Sequence, residues 1–257
     1  MRKENEMNYR KSQKYTDYYK IYEQCAGPGG LKLAEHLAEM MSLKSGKKLI
    51  DIGFFKGYQT CFLAKEYNVD IVGIEPGCVP WEPGIPNIEH LMKNARDLGV
   101  ADKVLGVQSG LPNTLLPCNY FDYAYTTSCL EMIRGNDGEE AYHNALIEIY
   151  RILKNGGVLG LAEPMNLEVT IPDDVAPLLK VINFDKHFVT LEKTKKAILE
   201  VGFKIMESGY AEDAQLWWDE YLKYDPGYGP NPEREQVVAF KKALKHGLSF
   251  GYIIAVK

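Results

Sequence analysis

The chain has no excess of positive charge: 30 Lys and Arg stand against 35 Asp and Glu, a formal net charge of −5. A duplex nucleic-acid binder gathers basic residues where it meets phosphates, so no nucleic-acid partner is expected. Long apolar runs are missing too. No stretch approaches the roughly 18 residues that a membrane helix needs. The opening MRKENEMNYRKSQKY lacks the apolar segment of a secretory signal. We therefore expect a cytoplasmic protein with no membrane partner. Cysteine is scarce and odd in number: Cys25, Cys61, Cys78, Cys118 and Cys129, with no C-x-x-C. That pattern argues against a disulfide framework and a zinc site and predicts reduced thiols, mostly buried, with no metal. No internal repeat is visible.

What is present is an ordinary globular composition, 46% apolar and 25% charged over 257 residues, a length that allows one or two domains; with no linker visible, one domain is expected. Tyrosine outnumbers phenylalanine, 17 to 9, so many large side chains carry a polar tip suited to a wet pocket wall or an interface. Strand-like and helix-like segments alternate. Apolar runs predict strands at 48–53, 70–75, 103–108, 121–127, 158–163, 203–208 and 248–256. Helices are predicted at 31–43, 57–67, 87–98, 138–154 and 190–201, with Gly202 as a C-cap signal. The region 212–246 reads as mostly helical and aromatic-rich. Such alternation implies right-handed βαβ crossovers and a mainly parallel sheet covered on both faces. Ligands of open α/β sheets bind beyond the carboxyl ends of the strands, which directs attention to the strand-to-helix turns.

The first of these turns reads Asp51-Ile52-Gly53-Phe54-Phe55-Lys56-Gly57. Glycine at a strand-to-helix turn lets backbone approach a ligand. Glu75 ends the second strand about 20 residues later, the spacing at which a carboxylate accepts hydrogen bonds from ribose hydroxyls. The dinucleotide fingerprint G-x-G-x-x-G is absent, because Phe55 and Tyr58 occupy its second and third glycine positions. Asp51 would also repel a pyrophosphate. A nicotinamide dehydrogenase is thereby disfavoured.

The run KKLIDIGFFKGYQTCFLAKEYNVDIVGIEP resembles the first two motifs of the class I S-adenosylmethionine-dependent methyltransferases. More closely, the chain is similar to the small-molecule ubiquinone/menaquinone-biosynthesis and sarcosine-dimethylglycine type. Supporting pieces run along most of the chain: the turn Gly27-Pro28-Gly29-Gly30, helix 87–98 with Ala95, VLGVQSG at 104–110, and Phe121-Asp122-Tyr123. RILKNGGVLGL at 151–161 and LEKTKKAILEVGFKIMES at 191–208 complete the set. The resemblance implies a three-layer αβα Rossmann-like α/β fold, a seven-stranded sheet ordered 3-2-1-4-5-7-6 with strand seven antiparallel. Residues 1–257 would form one methyltransferase domain, with an N-terminal helical lid at 1–30 and a helical insertion at 212–246 between strands six and seven. The cofactor would be S-adenosyl-L-methionine and the product S-adenosyl-L-homocysteine. Gly53, Phe54 and Gly57 would border its methionine part with Asp51 nearby, and Glu75 would hold the ribose. Gln108, Ser109 and Gly110 would surround the adenine, and Thr126 would face the amino-acid end. Phe55 departs from the family, standing where its middle glycine lets backbone pass the cofactor, and fits only with its side chain turned away.

Methyl transfer from a sulfonium is an in-line displacement in which alignment and desolvation do most of the work, so no fixed triad is sought. Three segments are candidates to roof an acceptor pocket. Tyr15, Tyr18, Tyr19 and Tyr22 fall at helical spacing and either line the pocket or pack on the core. In Cys129-Leu130-Glu131-Met132, Glu131 is the candidate catalytic base or polar contact, with a surface or capping role as the alternative. In Leu216-Trp217-Trp218-Asp219-Glu220-Tyr221, the residues Trp217, Trp218 and Tyr221 are candidates, and adjacent tryptophans are not both expected to face inward on one helix. Aromatics with carboxylates suit an amine through cation–π attraction, or a planar apolar molecule; a small amine or other small metabolite is favoured. Of the five histidines, His187 and His143 lead for any single catalytic role. Trp81, in the Pro-rich loop 76–86, would cover the adenine or a neighbouring subunit. The expected assembly is a monomer or homodimer. The rival reading is a catalytically silent relative that binds cofactor or partner without transferring methyl.

Overall fold

The computed structural model describes residues 9–78 and 82–257. The proposed role of Trp81 and the first eight residues of the N-terminal segment lie outside the described residues.

The sheet is built from β1 (Lys48–Ile52), β2 (Asp70–Ile74), β3 (Val104–Val107), β4 (Phe121–Thr127), β5 (Leu153–Asn166), β6 (Lys204–Tyr210) and β7 (Leu248–Val256). Their order is β3-β2-β1-β4-β5-β7-β6. The ladders among β1 to β5 are parallel, while β7 runs antiparallel to both β5 and β6. This is the arrangement that the sequence resemblance implies. The helices are α1 (Tyr18–Gln24), α2 (Gly30–Met40), α3 (Tyr58–Tyr67), α4 (Asn87–Leu98), α5 (Leu130–Asp137), α6 (Glu139–Ile152), α7 (Ala176–Leu179), α8 (Phe184–His187), α9 (Leu191–Val201), α10 (Ala214–Tyr224) and α11 (Glu235–Lys245).

Strand side chains alternate between the faces of a sheet, and the central strands are apolar on both. Leu49 joins a core with Leu33, Leu37, Phe62 and Leu91 under α2, α3 and α4. Its neighbour Ile50 joins a second core with Leu146, Ile149, Leu159 and Ile198 under α6 and α9. Residues buried on both faces have no exposed side on which to carry polar groups, hence the near-continuous apolar strands.

A third apolar cluster lies outside these two layers. Val175, Leu179, Phe184 and Phe188 of the segment after β5 pack with Trp218, Leu222, Val237 and Phe240 of the insertion before β7. Helix α10 is wedged between this cluster and the sheet, which overturns the expectation about the adjacent tryptophans. Trp217 is fully buried in the sheet core, 5.8 Å from the Phe250 ring, and Trp218 is buried in the third cluster, 5.0 Å from Phe240. A helix embedded on two sides buries two successive positions.

The N-terminal segment is strapped to the same region. The buried carboxylate of Glu35 accepts from the backbone N–H groups of Lys11 and Ser12 at 2.9 and 2.7 Å. Tyr9 donates to Asp213, at the N-terminal end of α10. Among the described residues, no helix is long and apolar enough to cross a membrane.

Candidate functional site

The carboxyl ends of β1, β2 and β4 open on a cavity of about 380 Å³. Chain entering from β1 contributes Ile52, Gly53 and Phe55, and chain leaving β2 contributes Ile74, Glu75 and Pro76. Ser109, Gly110 and Leu111 follow β3, and Ser128 and Cys129 follow β4. Ala26, ahead of α2, and Met132, Ile133, Asn136 and Asp137 of α5 complete the lining. This is the crevice at the strand switch point, where α/β sheets bind ligands.

Close approach sets the backbone here. Gly53 has φ +75°, and a Cβ on it would run into the Cys129 side chain. Gly27 has φ +66°, and a Cβ there would strike Ser128. That glycine lets the chain before α2 lie directly over the end of β4. Phe55 keeps the left-handed backbone, φ +54°, that a glycine would adopt without strain. It is half-buried and lines the cavity, so the structure places it at the site rather than turned wholly away from it.

Glu75 is the best-anchored polar group of the lining. Its Oε2 accepts the Phe55 N–H at 3.1 Å. The Gly77 N–H and the Asn87 side chain also donate to this carboxylate. Burial nevertheless outweighs these bonds and raises its pKa above the ordinary glutamate value. Asp51 is buried behind the lining and accepts from the Thr60 hydroxyl at 2.6 Å. Burial pushes its carboxyl up to about 7; the Thr60 bond opposes this and nearby Glu75 adds to it.

Of the expected cofactor residues, Gly53, Glu75, Ser109 and Gly110 are brought together on the lining. The others stand elsewhere. Phe54 packs into the sheet core against Gly73. Gly57 begins α3 with φ +78° and faces Leu91 of α4, so its missing side chain serves helix packing. Gln108 is exposed, its amide 3.4 Å from the Pro76 carbonyl. Thr126 is buried and spends its hydroxyl on the Ile52 carbonyl at 3.3 Å. None of these four lines the cavity.

The acceptor-side candidates lie off the cavity lining. Glu131 is buried and does not line the cavity. On α5 it shares a face with Arg134, three residues on, while Met132, Ile133, Asn136 and Asp137 face the cavity. Burial and the nearby Glu163 carboxylate push its pKa well up. Glu163 itself accepts from Arg134, Tyr142 and Thr194 at 3.1, 3.3 and 3.4 Å. His187 belongs to the same buried group, its Nδ1 lying 3.3 Å from the Glu131 carbonyl, and His143 is not on the lining. Tyr18 and Tyr22 pack α1 against α10, where Tyr221 meets Tyr22, and Trp217 and Trp218 are buried in the sheet core and the third cluster; none of the five lines the cavity. Tyr22 donates to Glu220 at 2.9 Å and Tyr18 stacks on Tyr224 at 5.2 Å, while Tyr221 lies 6.0 Å from Trp218.

Sequence reasoning pointed to segment 129–132, of which Cys129 and Met132 line the cavity, but missed Ser128, Ile133, Asn136 and Asp137. Ser128 holds φ +47°, and its buried hydroxyl has no hydrogen-bond partner among the described residues. The available signal was the helical repeat Leu130, Ile133, Asp137 after β4, which places Met132 and Asn136 on the adjoining stripe.

The strand order, with strand seven antiparallel, and the crevice above β1 and β2 define a Rossmann-like fold of the class I methyltransferase kind. No protein-family model matches the chain. By sequence it is similar to phosphoethanolamine N-methyltransferase 3 of Arabidopsis thaliana, 24% identical over 214 residues, covering 83% of this chain and 39% of that protein. The chain thus spans about two fifths of that curated relative. By structure it is similar to an S-adenosylmethionine-dependent methyltransferase from Geobacter sulfurreducens solved with S-adenosyl-L-homocysteine. The TM-score is 0.66 at 18% identity, covering 94% of this chain and 98% of the other. It is also similar to the [4+2]-cyclase SpnF, with a TM-score of 0.68 at 20% identity over 89% of this chain and 81% of that one.

Proposed function

We propose that this chain transfers a methyl group from S-adenosyl-L-methionine to a small-molecule acceptor. The observation that carries the reading is Glu75: a half-buried, backbone-anchored carboxylate after β2, opening on a cavity that Gly53, Ser109 and Gly110 also line. A carboxylate so placed can accept from both hydroxyls of a ribose. Ile52, Ile74, Leu111, Met132 and Ile133 give the nucleoside an apolar bed. No phosphate has to be accommodated beside Asp51 and Glu75, and a sulfonium cation suits that electronegative corner.

Held by Glu75 with Ser109 and Gly110 on the same lining, the sulfonium would supply an electrophilic methyl carbon to the acceptor's lone pair, its sulfur keeping the electron pair of the bond that breaks. The chain's own contribution is orientation and water exclusion. Gly53 and Gly27 allow backbone to close on the site, and Ser128 offers a hydroxyl at the end of β4. Since Glu131 does not line the cavity, we assign it no proton transfer. All five cysteines are free, which supports a reducing compartment such as the cytoplasm.

Calorimetry with S-adenosyl-L-homocysteine tests the proposal. Removing hydrogen bonds to a charged acceptor costs about 1.5–3 kcal/mol, so Glu75→Ala should weaken binding by roughly 10- to 150-fold. Unchanged affinity means that Glu75 does not touch the ribose. A second reading, cofactor binding without methyl transfer, draws support from the likeness to a cyclase. Saturable binding with no turnover on fractionated metabolite pools would favour it.

A further inference from the structure

Resting on the methyltransferase reading above, we infer that Lys56 is a positioning residue. Its buried ammonium ties the connection between β2 and α4 to the turn 53–57 and to α1, and so sets how firmly the cavity holds its cofactor. Lysine is almost never fully buried unless paired, because taking an ammonium out of water is unfavourable. The Lys56 side chain is nevertheless only 1% exposed. Its Nζ lies 2.5 Å from Glu82 Oε1, in the connection from β2 to α4, and 3.9 Å from Glu23 Oε1, on α1. The other Glu82 oxygen lies 2.9 Å from His90 Nε2 of α4.

Further bonds meet at the same junction. Asn94 of α4, itself buried, donates to the Lys56 carbonyl at 2.9 Å and to Gln24 Oε1 of α1 at 3.1 Å. The ends of the connection are joined by the Asn87 N–H, which donates to the Gly77 carbonyl at 3.1 Å; Lys56 fastens its middle through Glu82. The three segments that Lys56 joins each reach the cavity: Phe55 beside it in the turn, Pro76 at the start of the connection, and Ala26 just beyond α1. The Phe55 N–H also donates to Glu75, so a shift of the turn moves the carboxylate that we assign to the ribose. A neutral side chain of similar length would keep the packing and remove the ion pair that spans turn and connection. A loosened wall lets a bound ligand leave sooner, while its arrival is governed by diffusion and orientation.

The test uses the full chain, S-adenosyl-L-homocysteine as the probe, and the variants Lys56→Met and Glu82→Gln, the second carrying the test should the first fail to fold. In stopped-flow kinetics, dissociation is expected to be at least about five-fold faster in each, with association within about three-fold of wild type. The double variant should fall within about two-fold of Lys56→Met, since the two groups act as one pair. A loss of stability alone would lower the folded fraction and leave its dissociation rate unchanged. In the ligand-free protein, hydrogen exchange should quicken in residues 21–27 and 82–90 and stay as in wild type in β5 and α9. Failure of the wild type to bind the probe would refute the methyltransferase reading, and the exchange measurement alone would then decide whether Lys56 ties these segments. Unchanged dissociation in either folded variant, additive effects in the double variant, or exchange that rises evenly across the sheet overturns the inference.

Discussion

Replacing Asp51 by Asn should make the ligand-free protein more stable at pH 8 and leave it nearly unchanged at pH 5. The Asp51 carboxyl is buried and raised from its ordinary 3.8 to about 7. A group raised in this way contributes stability that is fully present below the unfolded value and is lost as pH rises through the folded one. That gap is about three pH units at about 1.36 kcal/mol each, so ionised Asp51 costs the fold up to about 4 kcal/mol above pH 7. Asparagine keeps an acceptor for the Thr60 hydroxyl but introduces a buried amide donor, a penalty of about 1–2 kcal/mol. The net gain at pH 8 is about 2–3 kcal/mol, or roughly 4–12 °C in melting temperature for a chain of this size. At pH 5 only about 1.5 kcal/mol of the penalty has developed, and the amide offsets it. Thermal melts of both proteins at the two pH values provide the assay. An equal shift at both, or a loss of stability at pH 8, refutes the argument. The same variant should lose more affinity for cationic S-adenosyl-L-methionine than for uncharged-sulfur S-adenosyl-L-homocysteine. That result would identify the buried carboxylate as stability given up for a cation.

Gly53→Ala introduces a Cβ into the Cys129 side chain at a residue with φ +75°; it should destabilise by about 1–3 kcal/mol and abolish measurable cofactor binding, and a wild-type titration curve would show that the turn adapts. Phe55→Gly relieves left-handed strain of about 1–2 kcal/mol while adding about 0.5–1 kcal/mol of glycine entropy. Its melting temperature should therefore move little and its affinity stay within about three-fold; a gain beyond about ten-fold would show the Phe55 ring obstructing the site.

The turn 51–57 and Glu75 were legible in the chain because their placement depends on local geometry: a glycine after an apolar run and an acid at the end of the next one. Strand β4, with Phe121–Thr127 both expected and found, was legible for the same reason. The expected insertion was also found as two helices, α10 and α11. Helix α5 was not anticipated, since its repeat of Leu130, Ile133 and Asp137 is only eight residues long, ends on a charged residue and has no side-chain cap to mark its start. The third apolar cluster was hidden because its halves, around 175–188 and 218–248, are separated in sequence and meet only when the sheet is assembled.

From its sequence alone, the chain determined its alternation of strands and helices, the end of the sheet that bears the cavity and the acidic residue that follows β2, because each follows from local spacing and residue chemistry. Tertiary structure decided which way the side chains point. It turned Glu131 inward toward Glu163 and Arg134 while giving Met132 and Asn136 to the cavity, and it buried Trp217 and Trp218 on opposite sides of α10. Facing is set by what packs on the other side of an element, and that neighbour comes from a distant part of the chain.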